Sequence, residues 1–107
     1  KRLEGIDIEL VNQKYSGSIE YTTHVQSYGW SQGWIGAGGV AGTMGQSKRL
    51  EAIKIQLTGD MANHYNVLYR VHIQGIGWQD WKSNGDLAGT EGQSRRLEAI
   101  QIKLVEK

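Results

Sequence analysis

The stretch Arg-Leu-Glu-(Gly or Ala)-Ile-x-Ile-x-Leu occurs three times in this chain, at Arg2–Leu10, Arg49–Leu57 and Arg96–Leu104. The copies are 47 residues apart. A fixed period of this length is the mark of a repeat architecture, and it governs how every other motif is read. A residue that recurs once per unit serves the unit's own fold before it serves chemistry. Two near-complete units align, about 11–58 and 59–107, and residues 1–10 read as the last strand of an earlier unit. The best-matched block is Val40–Ile53 against Leu87–Ile100, where 11 of 14 positions are identical. The chain opens directly into a copy of the repeat, which reads as part of a longer protein.

Alternation then assigns the strands. In Val67–Gln74, Val67, Tyr69, Val71 and Ile73 share one face, and Leu68, Arg70, His72 and Gln74 share the other. Ile19–Gln26 repeats this with Ile19, Tyr21, Thr23 and Val25 inward. Strict period two means half-buried strands. The repeated motif alternates too, with Ile53, Ile55 and Leu57 in and Lys54 and Gln56 out. Leu50 has the wrong parity, so a bulge or bend is expected near Ala52. No segment has a sustained 3.6-residue apolar period. The expectation is five main strands plus short ones in the loops, mostly antiparallel because no crossover helix is available.

Composition agrees with an all-β chain: 15 Gly, no Pro, no Phe, 4 Trp and 5 Tyr. The fold expected is one domain of tandem pseudo-symmetric repeats, a small antiparallel β-sandwich or barrel. A pseudo-threefold β-prism or trefoil-like arrangement is the alternative, attractive because the motif is present three times. Two long strands per unit are too few to stand alone, so the units are expected to share a core. There is no Cys, hence no disulfide or thiolate metal site. A net charge of +1 with interspersed signs argues against a nucleic-acid partner. No apolar run is long enough for a helical membrane span, so membrane insertion is not expected.

The paired tryptophans are the main candidates for function. An exposed indole is a flat apolar platform suited to a sugar face. Trp is also the largest core filler open to a domain without Phe. Trp30 and Trp78 directly follow an alternating strand, which favours the core for them; Trp34 and Trp81 divide evenly between the two readings. Trp81 is flanked by Asp80, Lys82 and Asn84, donors and acceptors able to read hydroxyls. The candidate ligand-binding residues are therefore Trp81, Asp80, Lys82 and Asn84, followed by Trp34, Trp78 and Trp30.

Other constellations carry less. His24 and His72 sit at the same place on the polar face of each unit and are expected to hydrogen-bond a neighbouring loop. The Arg49–Glu51 and Arg96–Glu98 pairs share a strand face. A catalytic site needs one asymmetric cluster, and this frame is stamped on all three copies, Arg2 and Glu4 included. They read as structural pairs fixing the Gly-rich loop, and no enzyme activity is expected. Gly42–Ser47 and Gly89–Ser94 lack the Lys and helix start of a phosphate loop. Asp60, Asp80, Asp86 and Glu91 lack calcium-loop spacing. No metal or cofactor is expected.

The run His-(Val/Ile)-Gln-x-x-Gly-Trp followed by Ala-Gly-Thr-x-Gly-Gln-Ser-x-Arg-Leu-Glu-Ala-Ile resembles the clostridial hydrophobic Trp-containing (ChW) repeats. It covers His24–Trp34 with Ala41–Ile53, and His72–Trp81 with Ala88–Ile100. The resemblance implies a non-catalytic, extracellular, cell-surface or cell-wall module of a Gram-positive bacterium. Its partner would be cell-wall glycan or another polysaccharide. The alternative is a surface protein, with the repeat acting as a protein-interaction or adhesin spacer module.

Overall fold

The computed structural model describes residues 3–107 and is all-β with one short helix. Lys1 and Arg2 lie outside the described residues, and the expected Arg2–Glu4 pair with them. The elements are β1 (Gly5–Ile6), β2 (Ser18–Val25), β3 (Ile35–Gly36), β4 (Ala41–Gly42), β5 (Leu50–Thr58), α1 (Gly59–His64), β6 (Tyr65–Ile73), β7 (Gly77–Trp78), β8 (Lys82–Ser83), β9 (Ala88–Gly89) and β10 (Leu97–Glu106). Every pairing is antiparallel. One sheet runs β3-β2-β5-β9. A second runs β10-β6-β7 with β8 also on β6, and β1 and β4 form a third. The sheets do not close into a barrel.

Each unit is a long hairpin, β2 with β5 and β6 with β10, whose loop lays a short strand back on its first strand. The inward faces are those the alternation assigns. Ile19, Tyr21, Thr23 and Val25 of β2, and Val67, Tyr69, Val71 and Ile73 of β6, are each at most 1% exposed. Ile53, Ile55 and Leu57 join them in one core that spans both units. The bulge is present in both hairpins. His24 opposes Ala52 while Val25 opposes Leu50, so Glu51 is the extra residue and Leu50 returns to the core. Glu98 is the extra residue in β10, between Leu97 and Ala99.

Two expectations need correction. The first copy of the motif is not a long strand: only Gly5–Ile6 pair, with β4, so the described residues hold four long strands rather than five. The link between β5 and β6 is helical rather than a plain loop. Gly59, at φ +63°, turns the chain, and Met61 plugs into the core at 2% exposure. The Met61 N–H donates to Ser16 O at 2.9 Å. A six-residue helix is too short to show a 3.6-residue period, so the sequence carries no signal for it.

The two buried tyrosines fasten the Gly-rich loops. Tyr21 donates to Gly39 O at 2.5 Å and accepts the Ile8 N–H at 2.9 Å. Tyr69 donates to Asp86 O at 2.5 Å. Burial pushes the Tyr69 phenol above its ordinary pKa, and the Asp86 carboxylate adds to the rise, so it remains a donor.

Candidate functional site

The Gly turn after each first strand decides where the tryptophans go. Trp78 opposes His72 across the β6–β7 pair. Cross-strand partners share a face, and His72 lies on the polar face. Trp78 is therefore turned outward and is 42% exposed, with its ring edge-on to His72 at 5.3 Å. The inward slots beside it are already filled by Tyr69, Val71 and Ile73. Trp30 takes the same pose against His24, also at 5.3 Å, and is half-buried. The expectation that the first Trp of each pair packs in the core is thus overturned: none of the four indoles belongs to the core cluster.

In unit two the candidate residues gather around a cation that the sequence reading did not single out. The Arg70 guanidinium lies 5.0 Å from the Trp78 ring centre and 4.8 Å from that of Trp81. Lys103 of β10 caps Trp81 at 4.3 Å. Arg70 is held by Gln101, to which its Nε donates at 2.7 Å. Trp78, Arg70, Trp81 and Lys103 thus form a row on the polar face of the β6–β10 hairpin. Each exposed cation–π contact contributes about 0.5–1 kcal/mol, enough to order the row without burying it. Alternation already set Arg70 on the face of His72, and that is the signal that was available for it.

The remaining candidates are spread out. Asp80 is exposed beside Trp81, and Lys82 is half-buried in β8 opposite Tyr69. The Asn84 side-chain amide is engaged within the fold: its Oδ1 accepts the Val67 N–H at 3.0 Å and its Nδ2 donates to Asn66 at 2.9 Å. Its backbone φ of +46° is the turn geometry that Asn tolerates. Trp34 is 43% exposed beside β3. Trp30 reaches across the repeats instead: its Nε1 donates to Glu91 at 2.6 Å, and Lys54 lies 4.7 Å over its ring.

The repeated Glu is the hub of a small polar cluster. Glu51 places Oε1 2.9 Å from His24 Nδ1 and Oε2 2.7 Å from Arg49 Nε. Glu98 does the same with His72 at 3.1 Å and Arg96 at 3.4 Å. The imidazoles therefore meet a carboxylate of the neighbouring strand rather than a loop, because the bulge aims Glu51 and Glu98 at the polar face. The loops are clamped by residues the sequence reading passed over. Gln32 accepts from Gly42 N–H at 2.7 Å and donates to Gly42 O at 2.9 Å, and Gln79 treats Gly89 likewise at 2.8 and 3.3 Å. The two hubs differ in burial, with the Glu51 side chain 8% exposed and that of Glu98 26%. Glu51→Gln is expected to cost about 2–3 kcal/mol in urea denaturation, since it leaves Arg49 without its counter-charge. Glu98→Gln should cost about 1 kcal/mol or less, because water screens that pair.

No curated protein and no solved structure matches the chain. Both units carry the same strand, indole turn and Gly-clamped loop, and the profile of the family described as Clostridial hydrophobic W matches residues 24–59 and 72–106, more than half of the chain, so the chain belongs to that family.

Proposed function

We propose that this chain is a non-catalytic binding module of a bacterial cell-surface or secreted protein, acting outside the cell. Its ligand in this reading is cell-wall or other polysaccharide, taken on the Trp78–Arg70–Trp81–Lys103 row. One observation carries the reading: the indoles stand on the polar face, ordered by cations, although the domain has no Phe to fill its core. Stacking of sugar faces on indoles supplies apolar contact, and Arg70 and Lys103 add attraction for polymers bearing carboxylate or phosphate groups. The motif carboxylates are tied into structural clusters repeated in both units, which supports binding rather than hydrolysis.

The test is co-sedimentation with purified peptidoglycan, wall teichoic acid and neutral glycans. Trp78→Ala/Trp81→Ala is expected to weaken binding at least about tenfold, as loss of central aromatic anchors does. Arg70→Gln should weaken binding to anionic polymers more than to neutral ones. Retention of full affinity by the double variant would remove this row from the site. Capture of a surface protein with no glycan retained would favour an interaction or spacer module instead.

A further inference from the structure

The two seams between repeats in this molecule are built alike. At the seam of β5 with unit two, Ala52 and Ile53 pair with Gly89 and Ala88, and Thr90 N–H donates to Glu51 O at 2.9 Å. Gly85 N–H donates to Ile55 O at 2.7 Å. Forty-seven residues earlier, Gly5 and Ile6 pair with Gly42 and Ala41, and Thr43 N–H donates to Glu4 O at 2.8 Å. Gly38 N–H donates to Ile8 O at 3.0 Å. The third copy of the motif, β10, has the same residues at Glu98, Ala99, Ile100 and Ile102. Among the described residues it pairs on one side only, with β6.

Burial records the difference. Ile53, Ile55 and Leu57 are 1%, 0% and 8% exposed. Their counterparts Ile100 and Ile102 are half-buried, and Leu104 is 39% exposed. The three copies are also arranged as a ring rather than a spiral. Leu50 N–H donates to Leu3 O at 3.2 Å, and Leu3 N–H donates to Leu97 O at 3.1 Å. The first copy therefore meets the third in the same way as the second meets the first, which is what a threefold axis produces. An open spiral would carry the third copy away from the first.

A cleft of about 490 Å³ lies on the free side of the first copy, lined by Leu3, Gly5, Asp7, Val40 and Met44 among others. One repeat further on, the matching place beside Lys54 and Glu91 is occupied by Trp30. The first copy is also a strand for only two residues, because among the described residues no strand runs beside Asp7–Leu10 as β2 runs beside β5.

We propose that the β10 face and this cleft together seat the strand–loop half of a third repeat of this family, closing a pseudo-threefold ring. Its first strand would lie between β10 and Leu3–Leu10 and its loop Gly would donate to Ile102 O. Its Trp would fill the cleft against Asp7 and Met44. The inference does not rest on the polysaccharide reading: it stands on backbone pairing, burial and the cleft, although Lys103 of the indole row also lies on β10.

The experiment joins a copy of residues 59–94 of this chain directly in front of Lys1, which keeps the natural spacing. The extended chain is expected to melt in a single transition, with its midpoint raised on the order of 10 °C above the 107-residue chain. Leu104→Asp should shift the 107-residue chain by no more than about 2 °C, because the site is open there, and should cancel the gain in the extended chain. An unchanged midpoint, or an added segment that stays disordered by NMR, overturns the proposal. So does a 107-residue chain that is already a stable dimer and becomes monomeric on Leu104→Asp, since a second copy then covers the face.

Discussion

Residues 59–107 expressed alone will show no cooperative thermal transition, while the 107-residue chain will melt once. The piece retains the β6–β10 hairpin with β7 and β8, so its hydrogen bonds within that sheet survive on paper. Its apolar face does not. Val67, Tyr69, Val71 and Ile73 are fully buried only because unit one covers them, through Ile53, Ile55 and the rest of the shared core. Each such side chain contributes about 1.5–3 kcal/mol when removed from water, so exposing four of them costs about 6–12 kcal/mol, as much as the roughly 5–15 kcal/mol that a whole domain holds in reserve. Pairing of β9 would also be lost, because its partner is β5. A hairpin with one uncovered face is marginal in water. Circular dichroism and differential scanning calorimetry on both lengths give the result. A sigmoidal melt of the 59–107 piece, or two transitions in the whole chain, would show that each unit holds its own core.

What could be read from the sequence was whatever period two controls. The alternation of Ile19–Val25 and Val67–Ile73 assigned faces correctly, and the wrong parity of Leu50 announced a bulge that the structure places one residue earlier, at Glu51. What could not be read was which residue opposes which. His24 and Glu51 are 27 positions apart, and they meet only because the hairpin register brings His24 opposite Ala52 and the bulge turns Glu51 towards it. Trp78 and His72 pose the same difficulty: the indole follows a strand of buried neighbours, yet the Gly77 turn at φ +94° returns it to the outer face. The Arg70 row needed three segments, β6, the β7–β8 loop and β10, to be placed side by side. The repeat itself set the seams, because contacts at one copy of the motif foretell those at the next.

Gly89→Ala should be among the most damaging single substitutions in the chain, and Gly42→Ala should match it one repeat earlier. The reason is backbone against backbone. β9 crosses β5 so closely that a Cβ on Gly89 would stand 2.7 Å from Ala52 Cα and press on the Glu51 carbonyl. On Gly42 it would stand 2.8 Å from Leu50 Cδ2 and 2.9 Å from Gly5 Cα. Neither neighbour can give way: Ala52 and Leu50 are buried and paired within the hairpin. Both glycines also hold φ near +100°, at +107° and +100°, where an L-residue is strained by about 1–3 kcal/mol before any clash. Overpacking adds a further 1–3 kcal/mol, so each substitution is expected to cost about 3–5 kcal/mol. Gly92 separates the two effects. It has φ +70° and open space where a Cβ would go, so Gly92→Ala should cost only about 1 kcal/mol, the strain without the clash. Urea denaturation of the three variants reads the difference directly. If Gly89→Ala cost no more than Gly92→Ala, β9 would not be pressed against β5, and the backbone seam that joins the repeats would have to be held by the Gly85–Ile55 and Thr90–Glu51 hydrogen bonds that flank it.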